Sequence, residues 1–178
     1  RKAWTSFATR GPSKRATGAD SPKPARRAAR APQNGSGLDA LFRPRSVAVI
    51  GASRRPGSIG WQVLHNLITG GFEGKVFPVN PKADVLHSVK CHRSVGAIED
   101  RVDLAIVTIP KEGVLRAIQE CARKKVGAVV VITAGFRETG GEGAALEGRM
   151  LAVARRHGMR LVGPNCMGVQ NAELGVRL

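Results

Sequence analysis

Ser46-Val-Ala-Val-Ile-Gly51-Ala-Ser-Arg-Arg-Pro-Gly57-Ser-Ile-Gly60 is the stretch on which the reading of this chain turns. An apolar run rich in β-branched side chains stops at Gly51. A polar loop with spaced glycines follows, and then a helical pattern in which Trp61, Leu64, Leu67 and Ile68 share one face. The pattern predicts a strand, a loop and a helix in immediate succession. α/β proteins hold phosphates on this arrangement, because glycine admits positive φ and close approach, and the first N–H groups of the helix face the anion. A nucleotide-like cofactor is the first expectation.

The same alternation continues downstream. Lys75–Val79 reads as a second strand, closed by Asn80-Pro81-Lys82. Residues 83–101 are mixed, with a short edge segment and a helical turn around Ser94–Glu99. Leu104–Ile109 is the third strand, cut off by Pro110, and a helix from about Glu112 to Lys125 follows it. Ala128–Thr133 is the fourth strand and runs into Ala134-Gly135-Phe136. A long helix over about Gly143–His157 precedes the fifth strand, Met159–Val162, and Gly163-Pro164-Asn165-Cys166. Short apolar strands joined by helical crossovers imply a parallel sheet with right-handed connections. The predicted fold is a Rossmann-like, doubly wound α/β domain. Leu38–Arg45 leads in, with Leu41 and Phe42 expected against the sheet and Pro44 ending any helix.

Charge divides the 178 residues in kind rather than in amount. Residues 1–38 carry nine Lys/Arg and one Asp, and residues 39–178 carry twenty Lys/Arg and twelve Asp/Glu, so each part contributes +8 to the total of +16. The first part has no sustained apolar period and reads as a disordered basic extension, residues 1–37, ahead of a single domain over 38–178. Its Arg-rich, acid-poor composition loosely resembles a transit peptide, but an extended or misassigned start is the preferred reading. The chain begins with Arg and ends without a stop signal of its own, so it is expected to be cut from something larger. The basic balance of the domain suits an anionic ligand.

Three cysteines with no CxxC spacing argue against a disulfide framework or a zinc site and for a reducing cytoplasm. No metal site is expected. No apolar run reaches membrane-spanning length, and no secretory signal is evident.

The cofactor is narrowed by two departures from the dinucleotide fingerprint, which asks for G-x-G-x-x-G after the first strand and an acidic residue on the ribose about twenty residues on. The glycines here are wider apart, and the second strand ends in Asn80, Pro81 and Lys82 rather than a carboxylate. A lysine there suits a ribose phosphate, as in NADP or the 3′-phosphate of coenzyme A. NAD is disfavoured.

Leu41-Phe-Arg-Pro-Arg-Ser-Val-Ala-Val-Ile-Gly-Ala-Ser53, Phe77-Pro-Val-Asn-Pro-Lys82, Ile132-Thr-Ala-Gly-Phe136 and Gly163-Pro-Asn-Cys-Met-Gly168 resemble the N-terminal CoA-binding domain of the NDP-forming acyl-CoA synthetases. These are the ADP-forming acetate–CoA ligases and the related succinyl-CoA synthetase α subunit. The resemblance runs from about Leu38 to the end and leaves the basic extension uncovered. It implies that Gly51, Ser53, Arg54, Gly57 and Ser58 line the loop around the CoA phosphates, with Arg54 or Arg55 as charge partner. It implies further that Asn80, Pro81 and Lys82 hold the adenosine 3′-phosphate end, with Lys82 the strongest candidate. Ile109 and Pro110 would flank the adenine or the pantetheine. Thr133, Ala134 and Gly135 would line the crevice, and Asn165 and Cys166 would lie near the thiol. Taken without the resemblance, Cys166 reads as a small buried hydrophobe, Pro110 as a strand terminator, and the arginines as solvated loop charges.

In the family, acid, CoA and ATP react through an acyl phosphate and a phosphohistidine, which sits in a following domain, while ATP and its Mg²⁺ bind a further ATP-grasp unit or subunit. His65, His87, His92 and His157 fall within the CoA-binding region and match no such role, so no catalytic residue is assigned and the chain is not expected to complete the reaction alone. An alternative resemblance is to the same domain serving as a regulatory module in bacterial protein lysine acetyltransferases. An NADP-binding Rossmann domain ranks lower. Nucleic-acid binding ranks last, because Trp4 and Phe7 are the lone aromatic pair of the basic segment and no recognition motif accompanies them.

Overall fold

In the computed structural model the described residues are 37–171; the expectations for the basic extension and the last seven residues lie outside them. Four helices, α1 (Gly37–Phe42), α2 (Ile59–Thr69), α3 (Lys111–Arg123) and α4 (Gly141–Arg156), flank seven strands. The strands are β1 (Ser46–Ile50), β2 (Lys75–Val79), β3 (Val85–Leu86), β4 (Val89–Lys90), β5 (Leu104–Val107), β6 (Ala128–Val131) and β7 (Arg160–Val162). Five of them form one parallel sheet in the order β2-β1-β5-β6-β7. β3 and β4 pair antiparallel as a separate hairpin, Val85 opposite Lys90 and Leu86 opposite Val89.

Continuous apolar strands are what a sheet covered on both faces demands, and every residue of β1 is buried. Its side chains alternate between two cores. Val47 and Val49 pack with Leu41, Leu64, Leu67 and Leu86 under α1, α2 and the hairpin. Ala48 and Ile50 pack with Val114, Ile118, Cys121, Phe136 and Met150 under α3 and α4. Burial pushes the Cys121 thiol up to about 12, so it behaves as one more small hydrophobe. Ser46, the buried polar residue of β1, donates from Oγ to the Arg101 carbonyl and accepts from the Asp103 amide, each at 3.0 Å.

The expected elements form, with their ends trimmed: β5 stops at Val107 and β6 at Val131, so Thr108–Ile109 and Ile132–Thr133 belong to the loops that follow. Leu41 is buried as expected, whereas Phe42 is 43 % exposed and does not tuck against the sheet. Pro78 is tolerated because β2 is an edge strand of this sheet. The strand order has a direct consequence for the site. From the inner strand β1 the chain moves outward to the edge strand β2 through α2, then returns to build β5, β6 and β7 on the other side. The order reverses between β1 and β5, and in open α/β sheets ligands bind outside the carboxyl ends of the strands at such a switch point.

Candidate functional site

The residues singled out in the sequence gather along the carboxyl edge of the sheet, and the structure shows what each is doing there. Gly51 ends β1 with φ +97, and a Cβ on it would stand 2.7 Å from Thr108 Oγ1 and 2.8 Å from Ile109 Cγ2. Thr108, not singled out in the sequence, closes the switch point by donating its backbone N–H (2.9 Å) and its hydroxyl (3.1 Å) to the Ile50 carbonyl. Gly60 has the tighter constraint. A Cβ there would fall 1.9 Å from the Gly51 carbonyl oxygen, so only glycine lets α2 start this close to the strand end. Gly57, at φ +80, meets nothing within 4 Å and leaves the loop open to solvent.

Within the loop, Ser53 Oγ accepts from the Arg55 amide at 3.0 Å. Ser58 is the N-cap of α2: its Oγ donates to the Arg55 carbonyl at 2.8 Å and accepts from the Trp61 amide at 3.4 Å. Capping of this kind stabilises a helix start by about 1 kcal/mol, and it commits the Ser58 hydroxyl to the fold. Arg54 and Arg55 are exposed, and Arg54 Nη2 donates to the Val85 carbonyl of the hairpin at 3.3 Å.

Asn80 also serves the fold. Its Nδ2 donates to the Ala52 carbonyl at 2.7 Å and its Oδ1 accepts from the Lys82 amide at 2.8 Å. It thereby ties the glycine loop to the turn after β2 and turns Lys82 outward. The Lys82 ammonium is exposed and has no ion pair or hydrogen bond among the described residues. Pro81 beside it is exposed. Cys91 backs this turn: its thiol donates to the Asn80 carbonyl at 3.7 Å, and burial raises it above its ordinary value.

Beyond the switch point the groups are pinned. Thr133 Oγ1 donates to the Ile109 carbonyl at 2.7 Å, and the Asn165 amide donates to the Thr133 carbonyl at 3.0 Å. Pro110 and Ala134 are exposed at the mouth. Gly135, at φ +100, donates its amide to Glu138 Oε1 at 2.7 Å, while Thr139 Oγ1 donates to the Gly135 carbonyl at 3.2 Å. That amide, more than any other group, holds the Glu138 carboxyl below its usual range. The side chain of Lys111 lies across Gly135, its Cδ 3.2 Å from where a Cβ would be. Asn165 follows the cis Gly163–Pro164 bond with φ +53. Cys166, half-buried, donates its thiol to the Val131 carbonyl at 3.3 Å.

Sequence reasoning missed Thr108, Glu138 and an aromatic cluster of Trp61, His65 and His87. The Thr108 role depends on pairing with the distant end of β1, and the Glu138 role on the conformation of the turn at Gly135, neither of which local sequence reports. Neither constellation of three or more His, Cys, Asp or Glu able to hold a metal, nor a helix long and apolar enough to cross a membrane, occurs among the described residues.

The arrangement can hold an extended anionic ligand along the sheet edge, with cations at the β1–β2 end and neutral, hydrogen-bonded backbone at the β6–β7 end. Comparison with known proteins gives that ligand a class. Residues 45–172 match the family described as the CoA binding domain. The ADP-forming acetate–CoA ligase II of Archaeoglobus fulgidus is 47 % identical over 135 residues, covering 76 % of this chain and 20 % of that one. The α subunit of ADP-forming acetate–CoA ligase I of Pyrococcus furiosus is 45 % identical over 136 residues, covering 74 % and 29 %. The dinucleotide forming acetyl-coenzyme A synthetase 1 of Ca. Korarchaeum cryptofilum, solved in complex with phosphate and ADP, superposes with a TM-score of 0.75 at 42 % identity over 79 % of this chain and 30 % of that one. The chain thus spans between a fifth and a third of these relatives. Nothing in these matches favours the acetyltransferase or the NADP reading. The chain belongs to the CoA-binding domain family, in the form carried by NDP-forming acyl-CoA synthetases.

Proposed function

We propose that this chain is the part of an NDP-forming acyl-CoA synthetase that holds coenzyme A while its thiol attacks an acyl phosphate made with ATP. The observation that carries the reading is the Lys82 ammonium in the turn after β2, exposed and unpaired among the described residues, set beside the open glycine loop in a chain of the CoA-binding family. In this reading Lys82 meets the 3′-phosphate, and Gly51, Ser53, Arg54, Gly57 and Ser58 form the phosphate loop, Ser58 through its cap and Arg54 through its charge. Ile109 and Pro110 flank the adenine or the pantetheine, Thr133, Ala134 and Gly135 line the crevice, and Asn165 and Cys166 stand at the thiol end. Asn80 acts by positioning Lys82.

The remaining chemistry falls to other domains or a partner subunit: a phosphohistidine domain, and an ATP-grasp unit for the nucleotide and Mg²⁺. That one of the relatives is named as a subunit α supports a divided enzyme. We also assign residues 38–178 to one CoA-binding domain preceded by a basic extension over 1–37, and place the protein in the cytoplasm, a setting that three free thiols suit.

Calorimetric titration of the chain with CoA, dephospho-CoA and NADP, repeated on Lys82→Ala, tests the assignment. CoA should bind, dephospho-CoA should bind more weakly, and the variant should lose about tenfold for CoA, roughly 1.4 kcal/mol, with no change for dephospho-CoA. Tight binding of NADP with none of CoA would overturn the cofactor. An equal loss for CoA and dephospho-CoA would remove Lys82 from the 3′-phosphate.

A further inference from the structure

Most of the positive charge of the domain lies away from the ligand crevice. The five parallel strands all begin on the opposite edge of the sheet, and the segments that lead into them are 43–45, 70–75, 99–103, 123–127 and 155–160. These segments hold ten Lys/Arg and four Asp/Glu, so +6 of the +8 carried by residues 39–178 stands there. Ahead of β2, β1 and β5 the charges answer one another. Asp100 pairs with Lys75 at 2.7 Å, and Asp103 pairs with Arg101 at 3.0 Å while accepting from the Arg45 amide at 2.9 Å. Ahead of β6 and β7 they do not. The side chains of Arg123, Lys125, Arg155, Arg156 and Arg160 are exposed, with no ion pair or hydrogen bond among the described residues. Helix dipoles account for Arg123, Arg155 and Arg156, which stand in the last turns of α3 and α4. They do not account for Lys125, which follows α3 at φ +60, or for Arg160, which opens β7.

The same corner of the molecule exposes apolar surface. α1 meets the chain just ahead of β6, where a Cβ on Gly127 would stand 2.6 Å from Ala40 Cβ. Leu38 and Phe42, one turn apart on α1, are 51 % and 43 % exposed. Arg160 is set on the same face of the sheet as α1, because it lies in register with Ala128, which belongs to the core that contains Leu41. An exposed aliphatic and aromatic pair edged by arginines has the composition of a protein interface, in which aromatic residues and arginine are enriched.

We propose that this corner docks an acidic protein surface. Leu38 and Phe42 would seat in an apolar slot of the partner, and Lys125, Arg155, Arg156 and Arg160 would pair with its carboxylates. The inference goes beyond the CoA reading and does not depend on it. The planar fork of arginine suits carboxylates and phosphates alike, so the other groups of the edge decide between protein and nucleic acid. Phe42 offers a single ring and Leu38 none, whereas single strands stack successive bases on successive aromatic side chains. The carboxylates of Glu73, Glu99, Asp100 and Asp103 along the edge also oppose a continuous phosphate backbone. A partner seated at the strand starts leaves the crevice at the strand ends open.

The full chain can be titrated with poly-L-glutamate, with a glutamate–tyrosine copolymer of matched charge, and with a single-stranded DNA oligonucleotide. The copolymer should bind more tightly than poly-L-glutamate, and both more tightly than the DNA. Lys125→Glu combined with Arg160→Glu should weaken both polypeptides by about tenfold. Reversing Lys90 and Arg93, exposed elsewhere on the domain, should change them little. Phe42→Ser should abolish the preference for the copolymer and leave poly-L-glutamate as before. The corner variants should keep the thermal midpoint and the CoA affinity of the unaltered chain, which separates lost docking from lost fold. Equal weakening by the two charge reversals, or a copolymer that binds no better than poly-L-glutamate, would reduce the corner to diffuse positive charge and overturn the docking site. DNA binding that is tighter than either polypeptide and lost in the corner variants would overturn it in favour of nucleic acid. Copolymer binding by a chain that does not bind CoA would leave the corner standing and remove the CoA reading.

Discussion

The two ends of the ligand crevice are built on opposite principles. At the β1–β2 end the loop is open: Arg54, Arg55 and Gly57 are exposed, and Lys82 is exposed and unpaired among the described residues. At the β6–β7 end, the polar groups of Thr133 and Gly135, the Asn165 amide and the Cys166 thiol are each tied to another backbone or side-chain atom. Phosphate recognition tolerates long, mobile cations, because Coulomb attraction acts over several ångströms and adjusts with the side chain. A reacting thiol does not tolerate such freedom, since a misplacement of about 1 Å costs orders of magnitude in rate. In the CoA reading, the end that grips is adaptable and the end that reacts is fixed.

The largest effects should come from the glycines that let helices start against backbone. Gly60→Ala would put a Cβ 1.9 Å from the Gly51 carbonyl, and Gly143→Ala would put one 1.8 Å from the Phe136 carbonyl. Neither contact can yield by turning a side chain. Each should lower stability by about 1–3 kcal/mol in urea denaturation, as overpacking does. They should part in binding: Gly60→Ala shifts the phosphate loop and weakens CoA strongly, whereas Gly143→Ala disturbs the β6–β7 end and leaves the grip on CoA largely intact. The reverse pattern would break the division of labour between the two ends.

Asn80→Ala should come next. It removes the bonds to the Ala52 carbonyl and the Lys82 amide, and partly buried groups left without partners cost about 1–3 kcal/mol. Because the loop and the lysine are released together, CoA and dephospho-CoA should both bind less well. Lys82→Ala should instead affect CoA alone. The contrast between the two variants separates positioning from contact, and identical profiles for both would erase it.

How far the sequence foretold this site follows the same division. The strand–loop–helix around Gly51 and the cation at Lys82 were legible, because local pattern dictates them: an apolar run ending in glycine, and a charge where a strand must end. Thr108 and Glu138 were not legible. The Thr108 role arises from a hydrogen bond to the Ile50 carbonyl, 58 residues away, and the Glu138 role from a turn at φ +100 on Gly135 whose shape local sequence does not dictate. The hairpin escaped for a different reason. Its turn is His87-Ser88, carrying none of the glycine or asparagine that signals such turns, so only a short edge segment could be expected there. Asn80 was noticed for its position, but its bonds to the Ala52 carbonyl and the Lys82 amide were not foreseen, since a side chain that binds backbone looks in sequence like one that binds ligand. The Phe42 expectation failed because hydrophobicity alone does not say which of two adjacent apolar residues faces the sheet.

The smallest effect should come from Glu138, and it probes the pinned end most directly. Its carboxyl is held below the usual range chiefly by the Gly135 amide, with Lys111 a minor contributor. A depressed value in the folded state means that the contact is fully present above the ordinary carboxylate range and is lost as pH falls through the lower, folded value. The amide resonance of Gly135 should therefore titrate with a midpoint below about 4.3, the ordinary value for glutamate. In Glu138→Gln the resonance should stay flat over the same interval, and CoA affinity should remain close to that of the unaltered chain, because this residue orders the turn without touching the phosphates. A Gly135 midpoint at or above the ordinary value would show that the turn is not held by this contact. The β6–β7 end would then owe its order to Thr133, Thr139 and the packing of α4 on Phe136, and the fixed end of the crevice would be fixed by the sheet rather than by its own loop.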